Sequence, residues 1–150
     1  MAKARSIIGM DPEASVRANA RPALQSRLDE AVALAALCTG PDESLAMHNL
    51  RIALKRLRYT LEVFASSVEG AEALLSTLKR LQDLLGELHD ADVLIPLLAP
   101  DLAAPGVHAL LRRTMADRES LYRDFEETWR AETSAGLPQR ILDAIREDAA

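Results

Sequence analysis

The sequence predicts an all-α protein, an antiparallel bundle of four long helices followed by a short C-terminal helix. Ala, Leu, Arg and Glu dominate the 150 residues and aromatic residues make up only 3%, a composition that favours helices over strands. Apolar residues recur at helical spacing in long segments that Gly and Pro separate. Because the connections are short, neighbouring helices should run antiparallel.

The first two helices are placed by their start and stop signals. Asp11 precedes a proline and a glutamate, a sequence typical of a helix start. We therefore expect the first helix over about 11–38. A Gly-Pro pair then ends this helix, and Asp42 should cap the second helix, which extends to about Ser67.

The last three helices follow from the same kind of signals. The third helix should begin near Ala71, and Pro96 should kink or end it beyond Asp92. A loop with two prolines separates it from a fourth helix over about 107–134. A Gly and a Pro then precede a short last helix, expected over 139–147.

Two sets of apolar residues should form the buried faces of the third and fourth helices. Their spacing places them on one side of each helix. The third helix contributes Leu74, Leu78, Leu81, Leu85 and Leu88, and the fourth contributes Leu111, Met115, Tyr122, Phe125 and Trp129.

Length and composition indicate a single domain in a reducing compartment. We expect residues 1–10 to form a flexible N-terminal tail and residues 11–150 a single bundle. The lone Cys38 cannot form an internal disulfide. The longest uncharged run falls far below the ~20 residues of a membrane-spanning helix. These features predict a cytoplasmic protein without membrane contact, cofactor or metal.

A basic stripe on the second helix is the strongest functional signal. Residues 47–61, MHNLRIALKRLRYTL, carry four basic residues and no acid, although the net charge is −5, so the other residues carry −9. At about 100° per residue, one side of this helix carries His48, Arg51, Lys55 and Arg58. These residues span only ~15 Å along the helix axis. The stripe therefore suits a linear polyanion.

The third helix presents a second polar face that could extend the stripe. Gly86 in this face would let a ligand or a neighbouring helix come close. Asp90 and Asp92 follow, and we expect them to hold Arg or Lys side chains rather than to act as a catalytic pair. The face consists of Lys79, Gln82, Gly86 and His89.

Two motifs in this order resemble the signatures of the CHAD family, the conserved histidine α-helical domain. The first is H-x-x-R-x-x-x-K-R-x-R over residues 48–58, and the second is LKRLQDLLGELHDADV over residues 78–93. The resemblance covers about 16–132. It implies an all-helical domain that binds inorganic polyphosphate through a basic surface, often in proteins that also carry a triphosphate-processing tunnel domain or that localise to polyphosphate granules. We expect no enzymatic activity.

Carried over by position, the family's anion-binding residues correspond to His48, Arg51, Lys55, Arg58 and Lys79, while Arg56 points away from the stripe. Gln82 and His89 complete the candidate polyphosphate-binding set.

The resemblance also bears on oligomeric state. CHAD domains usually contain two similar bundles, each with its own motif, whereas this chain has one copy and is most similar to the C-terminal half. We therefore expect two chains to pair as a homodimer that rebuilds the double bundle.

Three other interpretations remain. The stripe could be a solvated face of a structural or protein-interaction bundle, with its cations paired to acids such as Glu62, Glu87 or Asp90. A metal-dependent HD-type phosphohydrolase would use His48, His89, Asp90 and a later acid such as Asp124 or Asp143, but the cations around His48 would repel a metal ion. Nucleic-acid binding is disfavoured by a pI near 5.2 and by the scarcity of aromatic side chains for stacking.

Overall fold

The computed structural model describes residues 3–146 and confirms the all-α prediction. Short 3₁₀ turns follow the second and third helices, at Ala65–Ser67 and Ala99–Asp101. Residues 3–146 contain no β-strand, only an isolated antiparallel bridge between Val68 and Ile145. The helices are α1 (Val16–Ala35), α2 (Ser44–Val63), α3 (Ala71–Leu98), α4 (Val107–Ser134) and α5 (Leu137–Asp143).

Each long helix packs against the next one in the chain, and α5 packs against both α1 and α4. Leucines dominate the core, and fully burying one contributes about 1.5–3 kcal/mol. None of the described helices is long and apolar enough to cross a membrane. The predicted buried face of α3 is confirmed, because the following residues are all buried: Leu74, Leu78, Leu81, Leu85 and Leu88. The α2 residues that pack in the same core are Met47, Leu50, Leu54, Leu57 and Leu61.

The predicted apolar face of α4 is only partly correct. Phe125 is buried, and Leu111, Tyr122 and Trp129 are half-buried. Met115, however, is 54% exposed. Because α4 packs mainly against α3, only a narrow side of α4 is covered, and Met115 lies outside it.

The predicted start of α1 at Asp11 was wrong. Ser15 caps α1 by accepting a hydrogen bond from a first-turn amide at 3.0 Å. Asp11 instead accepts a hydrogen bond from the amide of Glu13 at 2.9 Å, in a turn before the helix. Asn19 holds this turn, because its side chain bonds both the amide and the carbonyl of Asp11 at 2.8 Å.

The segment before α1 lies along that helix. Ile7 packs half-buried against the core, and Arg27 donates a hydrogen bond to the carbonyl of Arg5 at 2.9 Å. The amide of Ile8 donates to the hydroxyl of Ser26 at 3.4 Å. The flexibility of the tail stays a prediction.

The predicted cap of α2 was also wrong. Asp42 does not cap the helix, since the N-cap residue is Glu43 and its side chain makes no capping hydrogen bond. A tertiary contact holds this end instead: Arg118 of α4 donates to the carbonyl of Pro41 at 2.7 Å and to the hydroxyl of Ser44 at 3.2 Å. Helix-start signals did not reveal this contact because it joins distant segments.

The ends of α3 and α5 differ from the prediction by about one turn. Of the two outcomes expected at Pro96, a kink or an end, the end is wrong, because α3 continues through Pro96 to Leu98. α5 begins directly after Gly136, whose φ is 73°, and Pro138 lies in its first turn, where the missing N–H is harmless. The expected last residue, Glu147, lies outside the described residues.

A buried ion-pair network joins α1 to α2. Glu30 is buried, with 2% of its surface exposed, and it bonds Arg27 of its own helix at 3.1 Å and Arg56 of α2 at 2.7 Å. Two cations on one carboxylate offset the cost of burying its charge. As expected, Arg56 therefore points away from the basic stripe, and it orients α2 against α1.

Candidate functional site

The basic stripe of α2 faces the polar side of α3 along the line where the two helices pack. Because the two helices run in opposite directions, their side chains meet in pairs along it. His48 meets His89, Arg51 meets Gly86, and Arg58 meets Gln82. We call the surface formed by these six residues the α2–α3 groove: His48, Arg51, Arg58, Gln82, Gly86 and His89.

The two histidines form one end of this groove. Their ring centroids are 4.5 Å apart with the planes tilted by 38°. The Nδ1 atom of His48 is buried and has no hydrogen-bond partner within residues 3–146. Burial, and then the charges of His89 and Arg51, lower the pKa of His48 from its ordinary value. Burial and these neighbours therefore favour the neutral form of His48.

Arg51 lies across Gly86 in the middle of the groove. A Cβ atom at position 86 would lie 3.5 Å from the Nε atom of Arg51, an ordinary contact distance, so the guanidinium lies over the α3 backbone at Gly86. Nε is buried and has no hydrogen-bond partner among the described residues. A buried donor of a charged group without an acceptor is rare in native structures.

Arg58 is held in place by several neighbours. Its Nε donates to the Gln82 side-chain oxygen at 3.0 Å, and Nη1 pairs with Glu62, one turn along α2, at 2.6 Å. The ring of Tyr59 lies 4.7 Å from the guanidinium and 5.6 Å from the ammonium of Lys55. Arg58 is therefore positioned by α3 but already neutralised by its own helix.

Lys55 and Lys79 lie at the margins of the groove. Both are exposed, and Lys79 pairs with Asp83 of its own helix at 2.5 Å. The structure thus brings together five of the predicted site residues and leaves these two lysines outside the contacts that join α2 to α3. Asp83 is not among the predicted site residues, although its i,i+4 spacing from Lys79 indicates the pair.

The acids beyond the groove follow the predictions only in part. Asp92 pairs with Arg118 of α4, as expected for a structural aspartate. Glu87 and Asp90 instead line a cavity between α3 and α4, and Glu87 also lines a pocket beside Lys79 and Asp83. Of the acids suggested as partners for the basic stripe, only Glu62 makes such a pair among residues 3–146.

The groove is not arranged as a metal site. Within the described part of the chain, no group of three His, Cys, Asp or Glu side chains is close enough to hold a metal ion. His48 and His89 have Arg51 beside them instead of a carboxylate. A cation beside two histidines attracts oxyanions and repels metal ions.

These features define an all-helical protein with arginine and histidine side chains gathered between two of its helices. The chain belongs to the CHAD family, since residues 2–99 match the CHAD domain. The matched part contains α1 to α3 and therefore the whole groove. No curated protein and no solved structure matches the chain.

Proposed function

We propose that this protein binds inorganic polyphosphate through the α2–α3 groove, without catalysing a reaction on it. One observation carries the proposal: His48 Nδ1 and Arg51 Nε lie buried in the groove with no partner in residues 3–146. Leaving such groups unsatisfied costs about 1–3 kcal/mol each, and more when they are charged. An oxyanion at this position would supply the acceptors they lack.

The chemistry of the groove suits a chain of phosphates. Arg51 and Arg58 can each donate two parallel hydrogen bonds to phosphate oxygens, whereas Lys55 and Lys79 act as point charges near the margins. His48 and His89 add donors whose strength increases on protonation. Bound polyphosphate would release counterions, so binding should weaken as salt rises.

The test is calorimetric titration of long-chain polyphosphate into the wild-type protein at two salt concentrations. Arg51→Ala is compared with Arg112→Ala, which also removes one arginine but from an exposed position on α4. We expect Arg51→Ala to weaken binding about tenfold or more, because one charge-assisted contact contributes about 1.5–3 kcal/mol. The control should bind like the wild type.

Two results would refute the proposal. The first is a folded wild-type protein that does not bind polyphosphate, which would favour a structural or protein-interaction bundle with a solvated basic stripe. The second is an equal loss of binding in Arg51→Ala and Arg112→Ala, which would indicate attraction to the whole surface. Double-stranded DNA serves as the competing polyanion, and we expect no comparable binding to it.

We also propose that two copies of the chain pair. Large apolar side chains are exposed around the turn between α3 and α4, where Leu97 is 66% exposed and Leu102 and Leu110 are each 46% exposed. A second copy of the chain packed on this patch would remove its apolar surface from water, which favours pairing. Sedimentation should show a dimer that Leu97→Glu dissociates, and a monomer at high concentration would refute pairing.

The proposed setting is the cytoplasm, at polyphosphate granules. A fluorescently tagged wild-type chain should colocalise with stained granules, and the Arg51→Ala variant should be diffuse. Diffuse wild-type protein in cells that contain granules would contradict this setting.

A further inference from the structure

The basic residues in and beside the α2–α3 groove fall into two groups, one without acidic partners and one with them. At one end, His48, Arg51 and His89 have no acidic partner among the described residues; we call this the open end. At the other end, Arg58 pairs with Glu62 and Lys79 pairs with Asp83; we call this the paired end. Each acid lies one helical turn from its cation.

We infer that Glu62 and Asp83 keep short phosphate compounds away from the paired end, so that only a chain anchored at the open end reaches Arg58 and Lys79. This inference rests on the proposed polyphosphate binding and adds the order in which the basic residues bind the phosphate chain. Polyphosphate would engage His48 and Arg51 first and displace the two carboxylates afterwards.

The dimensions of α2 support this order. Arg51 and Arg58 are seven residues apart, or about 10 Å along the helix axis. A diphosphate has to be fully extended to contact both arginines, and its single second phosphoryl group has to displace Glu62 from Arg58. A longer chain bound at Arg51 brings its next phosphates to Arg58 at high effective concentration.

The Arg58–Glu62 and Lys79–Asp83 ion pairs are weak enough for a bound phosphate chain to displace them. The Glu62 and Asp83 side chains are 43% and 50% exposed, and exposed i,i+4 pairs are weak. A tethered phosphate chain can therefore replace them, whereas a free diphosphate must overcome both the pairing and the repulsion of the carboxylates. Gln82 bonds Arg58 Nε separately from Glu62, so Arg58 keeps one support on α3 when Glu62 is displaced.

The test compares the double variant Glu62→Gln/Asp83→Asn with the double variant Glu119→Gln/Glu127→Gln. Both change the net charge by +2, but Glu119 and Glu127 are exposed on α4. Each protein is titrated with inorganic diphosphate and with long-chain polyphosphate, with and without the additional change Arg58→Ala. Circular dichroism and thermal unfolding verify that each variant is folded.

In the wild type, Arg58→Ala should weaken long-chain binding about tenfold, the loss of one charge-assisted contact. The same change should alter diphosphate binding less than about twofold, since diphosphate is held at the open end. In Glu62→Gln/Asp83→Asn, diphosphate should gain a second binding site that Arg58→Ala removes. The α4 double variant should keep a single diphosphate site.

Wild-type diphosphate binding that is as sensitive to Arg58→Ala as long-chain binding would overturn the inference. A single diphosphate site in Glu62→Gln/Asp83→Asn would also overturn it. Both results leave polyphosphate binding intact, whereas a folded wild type that binds no long-chain polyphosphate refutes the proposed function itself.

Discussion

Replacing Gly86 with alanine should stabilise the fold while weakening polyphosphate binding. Gly86 lies inside α3, and glycine in a helix interior is about 0.8–1.0 kcal/mol less favourable than alanine. The new Cβ would lie 3.5 Å from Arg51 Nε, an ordinary contact distance, so the methyl group fits without displacing Arg51. A gain of this size corresponds to a rise of about 2–4 °C in Tm for a domain of this length.

The effect on binding has the opposite sign. Because Nε is buried beside α3, a phosphate oxygen reaches it only if the guanidinium moves. The added methyl group narrows the space for that movement. Losing one charge-assisted hydrogen bond costs about 1.5–3 kcal/mol, or roughly a factor of ten or more in affinity. Gly86→Ala should therefore increase stability and decrease polyphosphate affinity in the same variant.

The assay combines thermal unfolding with calorimetric titration of long-chain polyphosphate. Ser76→Ala is the matched control, because it is an exposed change on the same helix but outside the α2–α3 groove. We expect Ser76→Ala to bind like the wild type. A Gly86→Ala variant that is more stable and binds with unchanged affinity would show that Nε does not contact the ligand. A variant that is less stable would refute the packing argument.

Three further predictions concern stability and reactivity. Arg56→Ala should lower the free energy of unfolding by about 2 kcal/mol in urea, because Glu30 loses one of its two partners; an effect no larger than that of the exposed Arg80→Ala would contradict this. Burial, and then its histidine and arginine neighbours, lower the pKa of His48 below its ordinary value of about 6.5. As the pH falls, the unfolded chain therefore takes up this proton first, so stability is lost below that pH. Unfolding measured across this range should show the loss in the wild type but not in His48→Gln, and an equal loss in both would exclude His48. Burial, and then a neighbouring glutamate, raise the pKa of Cys38 to about 11, so a thiol reagent should modify the folded chain far more slowly than the unfolded one; equal rates would contradict that pKa.

The helix-forming segments and their buried faces could be predicted from local pattern. α4 has the predicted bounds, and the predicted leucines of α3 are all buried. The spacing predicts these buried faces because apolar residues repeated every three or four positions lie on one side of a helix. That side is stabilised by burial, whichever neighbouring element packs against it. The same pattern failed for Met115, since its burial depends on how much of α4 the neighbouring helices cover.

Caps were harder to predict than helices. Asp11 and Asp42 both stand where a capping residue is common, yet Ser15 caps α1 and Arg118 holds the start of α2. Several residues near each helix start can satisfy the first amides, and the free energies that distinguish them are small. The choice then depends on contacts between distant segments.

The basic stripe and its position on one side of α2 followed from residue spacing, because the helical repeat places side chains relative to their own axis whatever lies nearby. Pairing across the groove did not follow, since it depends on the register between α2 and α3. That register brings His48 to His89, Arg51 to Gly86 and Arg58 to Gln82. Packing of the leucine core sets the register between α2 and α3. In this register, His48 Nδ1 and Arg51 Nε are buried without a partner in residues 3–146.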